Sequence, residues 1–275
     1  RNNRLPRICT TMVSGAGLGL AGCILQAVLR NPLASASTLG VSQGATFGAA
    51  VAILAGFTAG MVSVSAFAFA LLTVLLVLLI SARAKGNHMM VVVLAGVMVS
   101  SLFQAGVSYA KLIADPTDEL ADITYWLMGS LTGAKMTQVT MIFPILLVGC
   151  IVLFALRWRI NILTMGDDEA STMGVNARLI RIIVIIAATF VTAACVCVTG
   201  MIGWVGLVIP HLCRMLIGAD YRKLIPASML MGAGFLLVVD DIARLATTAE
   251  IPIGILTAFV GAPFFLYLIT RKKKL

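Results

Sequence analysis

Apolar runs of about twenty residues, separated by short polar stretches, fill nearly the whole chain. A helix of about 20 residues crosses the hydrocarbon core of a bilayer. Only 11% of the 275 residues are charged and 60% are hydrophobic; an ordinary soluble domain carries roughly 25% charged residues. With a mean hydropathy of +1.06, so much apolar surface cannot be hidden from water, and lipid must be its solvent. In lipid every backbone N–H and C=O has to be paired internally, which leaves helical bundles or closed barrels. Barrel strands read as alternating segments of about ten residues. These runs are longer and apolar on all faces, so an all-α polytopic membrane protein is expected.

Nine spanning segments are predicted, at about 8–28, 38–57, 61–82, 90–113, 138–157, 177–198, 203–218, 224–246 and 252–270. The seventh is short enough to be broken or tilted. The 20 Lys and Arg residues divide 14 to 6 between the two sets of connecting loops. The richer set holds Arg30, Arg83, Lys85, Arg157, Arg159, Arg178, Arg181, Arg214, Arg222, Lys223 and the tail Arg271 to Lys274; the poorer holds Arg1, Arg4, Arg7, Lys111, Lys135 and Arg244. Cytoplasmic loops collect Lys and Arg, so the C-terminus is expected inside and residue 1 outside. An odd number of spans then leads to the expectation of one more helix ahead of residue 1, for ten in all. The net charge of +9 is explained by these loops and does not call for nucleic acid.

Two connections are more than links. Residues 114–137, expected outside, carry Asp115, Asp118, Glu119 and Asp122 and then Tyr125-Trp126-Leu127-Met128. Acids followed by aromatics predict a short helix at the interface, as a belt anchor or a meeting point for an external partner. Residues 160–177, expected inside, carry Gly166-Asp167-Asp168-Glu169-Ala170, a short helix with acids where the helix dipole favours them. Met173-Gly174-Val175 ends it, with glycine at the C-cap. That segment reads as a solvated turn or as a docking element with an apolar knob at Met173 and Val175.

Inside the spans, Gly15, Gly17, Gly19 and Gly22, Gly40, Gly44 and Gly48, and Gly232 and Gly234 let helices approach closely. Pro32, Pro210 and Pro263 are expected to disturb the backbone, sometimes beside a pathway. Asp240 and Asp241 lie four and three residues before Arg244, a spacing that pairs them on one helical face. The six cysteines all fall in apolar runs and read as small core residues. His88 and His211 have no carboxylate at ligand spacing, so no metal site is expected. Neither a catalytic triad nor a phosphate-binding glycine loop is present in the sequence, and no covalent chemistry is expected in this chain.

The motifs go further than composition. Arg4-Leu5-Pro6-Arg7, Arg30-Asn31-Pro32-Leu33-Ala34, Leu39-Gly40-Val41-Ser42, Tyr125 to Gly129, Gly166 to Gly174, Gly203 to His211, Asp241 to Arg244 and Glu250 to Pro263 occur in this order along the chain. Together they resemble the permease subunit of the iron-chelate and vitamin B12 class of ABC importers, a FecCD-like, type II importer transmembrane subunit. Ser35-Ala36 and Trp204 depart from the usual residues of that family, and its first helix is missing.

The resemblance implies a single permease domain over residues 1–275 that works as a homodimer in the bacterial inner membrane. Two ATP-binding cassette subunits, which hold the ATP and its magnesium, would bind below; this chain itself would carry no cofactor. A periplasmic or lipid-anchored substrate-binding protein would dock above, meeting Arg4, Arg7 and Arg244. The segment of about 160–177 would be the coupling loop, touching the ATPase through Gly166, Asp167, Asp168, Glu169, Met173, Gly174 and Val175. The cytoplasmic gate would map to Asn31, Leu33, Asn87, His88 and Met89. The cargo implied is a ferric siderophore or haem, and next cobalamin. An ion-coupled secondary transporter is the alternative; it predicts buried acids at mid-membrane and inverted repeats.

Overall fold

The computed structural model describes residues 4–84, 88–247 and 250–270. Among them the chain forms twelve helices. They are α1 (Arg4–Val28), α2 (Val41–Leu54), α3 (Ala59–Arg83), α4 (His88–Ile113), α5 (Glu119–Met128) and α6 (Met136–Ala155), then α7 (Arg157–Met165), α8 (Asp167–Thr172), α9 (Ala177–Thr199), α10 (Val205–Ile217), α11 (Tyr221–Leu245) and α12 (Ile253–Thr270).

Six of these, α1, α3, α4, α6, α9 and α11, have 20 residues or more and are apolar enough to cross a membrane. They coincide with six of the predicted spans. The other three predicted spans are shorter helices: α2 has 14 residues, α10 has 13 and α12 has 18. At 1.5 Å per residue, 13 or 14 residues reach only about 20 Å. Irregular backbone precedes both α2 and α10. Residues 29–40 run as turns before α2, with Leu39 and Ala34 buried and Gly40 at φ +81°. Before α10, Trp204 holds φ +69°. Non-helical backbone within a membrane protein's bundle persists where protein covers it.

The bundle is built around α1 and α9, whose apolar windows are 72% and 67% buried, against about a third for α3, α4, α6 and α11. Helix α1 packs on α6, α7, α9, α10 and α11, while α2, α3 and α4 form a second group that meets α9 through α2 and α3. Glycines explain why α1 sits so deep. A Cβ at Gly22 would collide with the Gly206 carbonyl of α10, and Gly15 and Gly232 face each other across α1 and α11 in the same way. The predicted small-residue stripe is therefore the seam of the bundle. Leu72, Leu75 and Leu79 of α3 and Leu147, Val148 and Ile151 of α6 are exposed, as lipid-facing residues would be.

Two expectations change. Proline does not interrupt these helices: Pro144, Pro210, Pro226 and Pro263 all lie inside helices that continue past them. At Pro210 the missing N–H would leave the Gly206 carbonyl without its helical donor. Gln26 of α1 covers the spot, its Nε2 lying 3.5 Å from Gly206 O and donating to Leu207 O at 3.2 Å. The Gln26 Oε1 in turn accepts from Arg214 Nη2 at 3.0 Å. Residues 160–165, expected in a loop, are helical within α7. Ile160, Ile162 and Leu163 are buried there, and that burial holds the helix against the bundle.

Candidate functional site

The polar chemistry of the described residues collects at the two ends of the bundle. At one end lies α8, six residues long. Its C-terminus closes as a Schellman turn: Val175 N donates to Ala170 O at 2.9 Å and Gly174 N to Ser171 O at 3.0 Å. Gly174 sits at φ +74°, the left-handed conformation this turn requires and glycine adopts without strain. Ala170 is fully buried and Val175 packs against the core, whereas Asp168, Glu169 and Gly174 are exposed. Met173 is 58% exposed. The apolar knob is thus Met173 alone; Val175, expected beside it, is turned inward.

Asp167, the first residue of α8, is engaged inside the chain. Its Oδ1 accepts from Arg181 Nη2 of α9 at 2.8 Å and also from Arg30, just past the end of α1. These two guanidiniums, Arg181 first, hold the Asp167 carboxyl below the usual carboxylate range. Nearby, Asn31 Oδ1 accepts from the Leu33 backbone N–H at 2.9 Å, fixing a turn that leaves Leu33 exposed. Met89 is half-buried in the first turn of α4. Asn87 and the side chain of His88 lie outside the described residues. Asp220 caps α11, accepts from Asn161 Nδ2 of α7 at 2.9 Å and is pulled down to about 2 by that bond first and then by Arg222.

At the opposite end, Arg7 of α1 lies between two carboxylates. Its Nη2 donates to Asp240 Oδ1 at 2.8 Å and its Nη1 to Glu250 Oε2 at 2.8 Å. Asp240 is 1% exposed and Arg7 12%. Arg244 pairs with Asp241 and approaches Asp240 at 3.7 Å, as the three- and four-residue spacing predicts. The buried acid at this depth is thus fully paired. Glu250 also accepts from Thr132 Oγ1 at 2.7 Å. That hydroxyl, and then Arg7, lowers the Glu250 pKa. Arg4 stands exposed in the first turn of α1.

Between α5, the α2–α3 turn and the start of α6, the same end opens into a cleft of about 1130 Å³. Asp118, Glu119, Asp122 and Glu250 line it, against Lys135 as the basic group. Trp126 and Tyr125 of α5 form part of the wall. The short aromatic helix expected in residues 114–137 is therefore present. Among the described residues no cluster of His, Cys, Asp or Glu could hold a metal ion.

The family profile described as the FecCD transport family matches residues 1–271. The chain belongs to this family. The molybdate import system permease protein MolB of Haemophilus influenzae is 41% identical over 98% of this chain and 80% of its own length. A Helicobacter pylori protein described as an iron chelatin transport system permease is 40% identical over 98% of this chain and 82% of its own. A solved metal-chelate type ABC transporter, in an inward-facing conformation, superposes with a TM-score of 0.92 at 39% identity, over 98% of this chain and 88% of that one.

For this FecCD-family chain, the structure draws Arg7 and Arg244 together at one end and residues 166–175 at the other, with Arg4 beside the first group. Sequence reasoning missed Arg30 and Arg181 as partners of Asp167, Glu250 as a partner of Arg7, and Thr132 as a partner of Glu250. A single weak signal pointed to them: each is a polar residue at the edge of an apolar run. Their pairing crosses more than a hundred residues in three of the four cases, a separation no local pattern reveals.

Proposed function

We propose that the chain is one half of the transmembrane conduit of an ABC importer, moving a large metal chelate inward across the bacterial inner membrane. Its second half is another copy of the same chain. ATP and magnesium bind on two separate ATPase subunits, and no cofactor belongs to this chain. The observation that carries the reading is α8: an exposed helix-turn with Met173 at its tip, anchored by Asp167 to the helical core. Such an element fits a cleft on a soluble partner and can pass that partner's motion into the membrane.

The loop charges favour α8 inside, with the C-terminus, and the α5 end outside. A binding protein then meets the α5 end. Arg4 offers its charge freely there, Arg244 offers part of its guanidinium, and Arg7 only an edge, because both of its carboxylates come from this chain. Several such charges steer docking and set register. The gate is assigned to the turn at Asn31 and Leu33 together with residues 87–89.

Helix α4 supports a shared path. Ser101, Gln104 and Ser108 lie exposed along one face of a spanning helix. Ser101 and Ser108 satisfy their hydroxyls on backbone carbonyls four residues back, but Gln104 would be costly against lipid. A water-filled passage or a second copy suits that face better.

A ferric siderophore or haem is the first cargo assigned, and cobalamin the next. The molybdate relative makes a free oxyanion the second reading, and the acidic cleft disfavours it by charge. The test is ATP-dependent uptake into proteoliposomes holding the chain, its ATPase and its binding protein. Vanadate-sensitive uptake of a chelate supports the proposal. Uptake that persists without ATP on an ion gradient, or of molybdate alone, overturns it.

A further inference from the structure

The turn that ends α1 contains an anomaly. Asn31 N donates to Gln26 O and Arg30 N to Ala27 O, both at 3.2 Å, which is a Schellman closure with Arg30 in the position glycine usually takes. Arg30 holds φ +44°. A side chain there strains the backbone by about 1 kcal/mol or more. Near the start of α9, Arg181 has a side chain only 3% exposed, and its Nε is buried without a partner. A buried guanidinium is tolerated only when a counter-charge holds it. Both unfavourable arginines aim at one acceptor, Oδ1 of Asp167.

Asp167 is also the point at which α8 begins. Helix α8 has six residues, too few to be stable alone; it is held to the bundle by the buried Ala170 and by the half-exposed Asp167 carboxylate, which the two arginines grip. The two arginines belong to the most buried helices of the bundle: Arg181 to α9 itself, and Arg30 to the terminal turn of α1. A displacement of α8 therefore pulls on α1 and α9 through one carboxylate.

We propose that Asp167 is a positioning residue, the joint through which movement of α8 is transmitted to α1 and α9. Asp168, Glu169 and Met173 meet the partner; the half-exposed Asp167 spends its carboxylate on the two arginines instead. This inference rests on the importer reading and adds to it the division of labour within the loop.

The experiment compares wild type, Asp167→Asn, Asp167→Glu and Arg30→Gly, each reconstituted with the ATPase and binding protein in proteoliposomes, and reads chelate moved per ATP hydrolysed. Asp167→Asn is expected to keep its ATPase activity and lower that ratio about fivefold or more, the lower range of measured coupling energies. Asp167→Glu should restore most of the ratio. Arg30→Gly is the sharper variant, since glycine relaxes the left-handed turn while removing the guanidinium. It should raise thermal stability or leave it unchanged, yet lower the ratio. It also carries the test if Asp167→Asn does not assemble. A wild-type ratio in Arg30→Gly, or in an assembled Asp167→Asn, overturns the joint while the importer reading stands. Absence of ATP-driven uptake in the wild type overturns the importer reading and the joint with it.

Discussion

At the α5 end the buried member of the ion cluster is an acid, Asp240, held by Arg7 and approached by Arg244. At the α8 end it is a base, Arg181, held by Asp167, which Arg30 shares. Helix α1 contributes one arginine to each cluster, Arg7 near its start and Arg30 just beyond its end. With 25 residues, α1 is about 37 Å long, so it is pinned on both sides of a bilayer core. The clusters differ in what they join. The α5 cluster ties α1 to α11 and to the segment leading into α12, all parts of the bundle. The α8 cluster ties α1 and α9 to a short helix that projects from it. Similar chemistry thus fixes the bundle at one end and attaches a projecting element at the other.

The largest effect is expected where the burial is greatest. Asp240→Asn leaves Arg7 with the more exposed Glu250 as its one counter-charge, and removing one partner of a buried pair costs about 3 kcal/mol or more. A lowered unfolding midpoint in detergent would show it; an unchanged midpoint would mean that Glu250 alone satisfies Arg7. Next comes Gly174→Val, which forces a β-branched residue to φ +74° at a cost of about 1–3 kcal/mol. Nothing lies near a Cβ there, so the strain is local. The expected result is uncoupling: ATP hydrolysis continues while uptake falls. Normal uptake in this variant would remove α8 from the mechanism and, with it, the contrast between the two ends.

Glu250→Gln should cost less, about 1 kcal/mol or below, because Glu250 is partly exposed and exposed pairs contribute little. Its pH dependence has a definite sign. The Glu250 pKa lies below its ordinary 4.5, so its contribution is complete above about 4.5 and disappears as the pH falls through the lowered value. The midpoint difference between wild type and Glu250→Gln should be constant from neutral pH down to about 5 and shrink below that. A difference that grows with acidification would refute the pairing. Arg4→Glu is expected to leave the midpoint unchanged and to weaken capture of the binding protein at low salt. Equal capture would take Arg4 out of the docking surface and leave Arg244 to carry it.

Much of the fold was legible because the solvent is so restrictive. Runs such as 61–82 and 177–198 can be nothing but helix in lipid, and they appear as α3 and α9 within a residue or two. The α8 turn was legible from Gly174, since few residues other than glycine close a helix in the left-handed conformation. The span at 38–57 was read longer than α2, whereas the short span at 203–218 matches α10 within two residues. Hydropathy does not mark where a helix begins, and the apolar residues Leu39 before α2 and Ile202 before α10 lie outside the helices they precede. Arg7 was read as a free docking charge because its partners Asp240 and Glu250 lie more than 230 residues away.

The sequence by itself determined the class of solvent, the approximate position of the helices, the family and the capped turn at Gly174, because each follows from composition, order or a local backbone requirement. Only the tertiary structure decided which arginines are spent inside the chain and which remain for a partner. Ion pairing depends on distance through space, and α1 acquires its partners at both ends only after α9, α11 and the chain leading into α12 have packed around it.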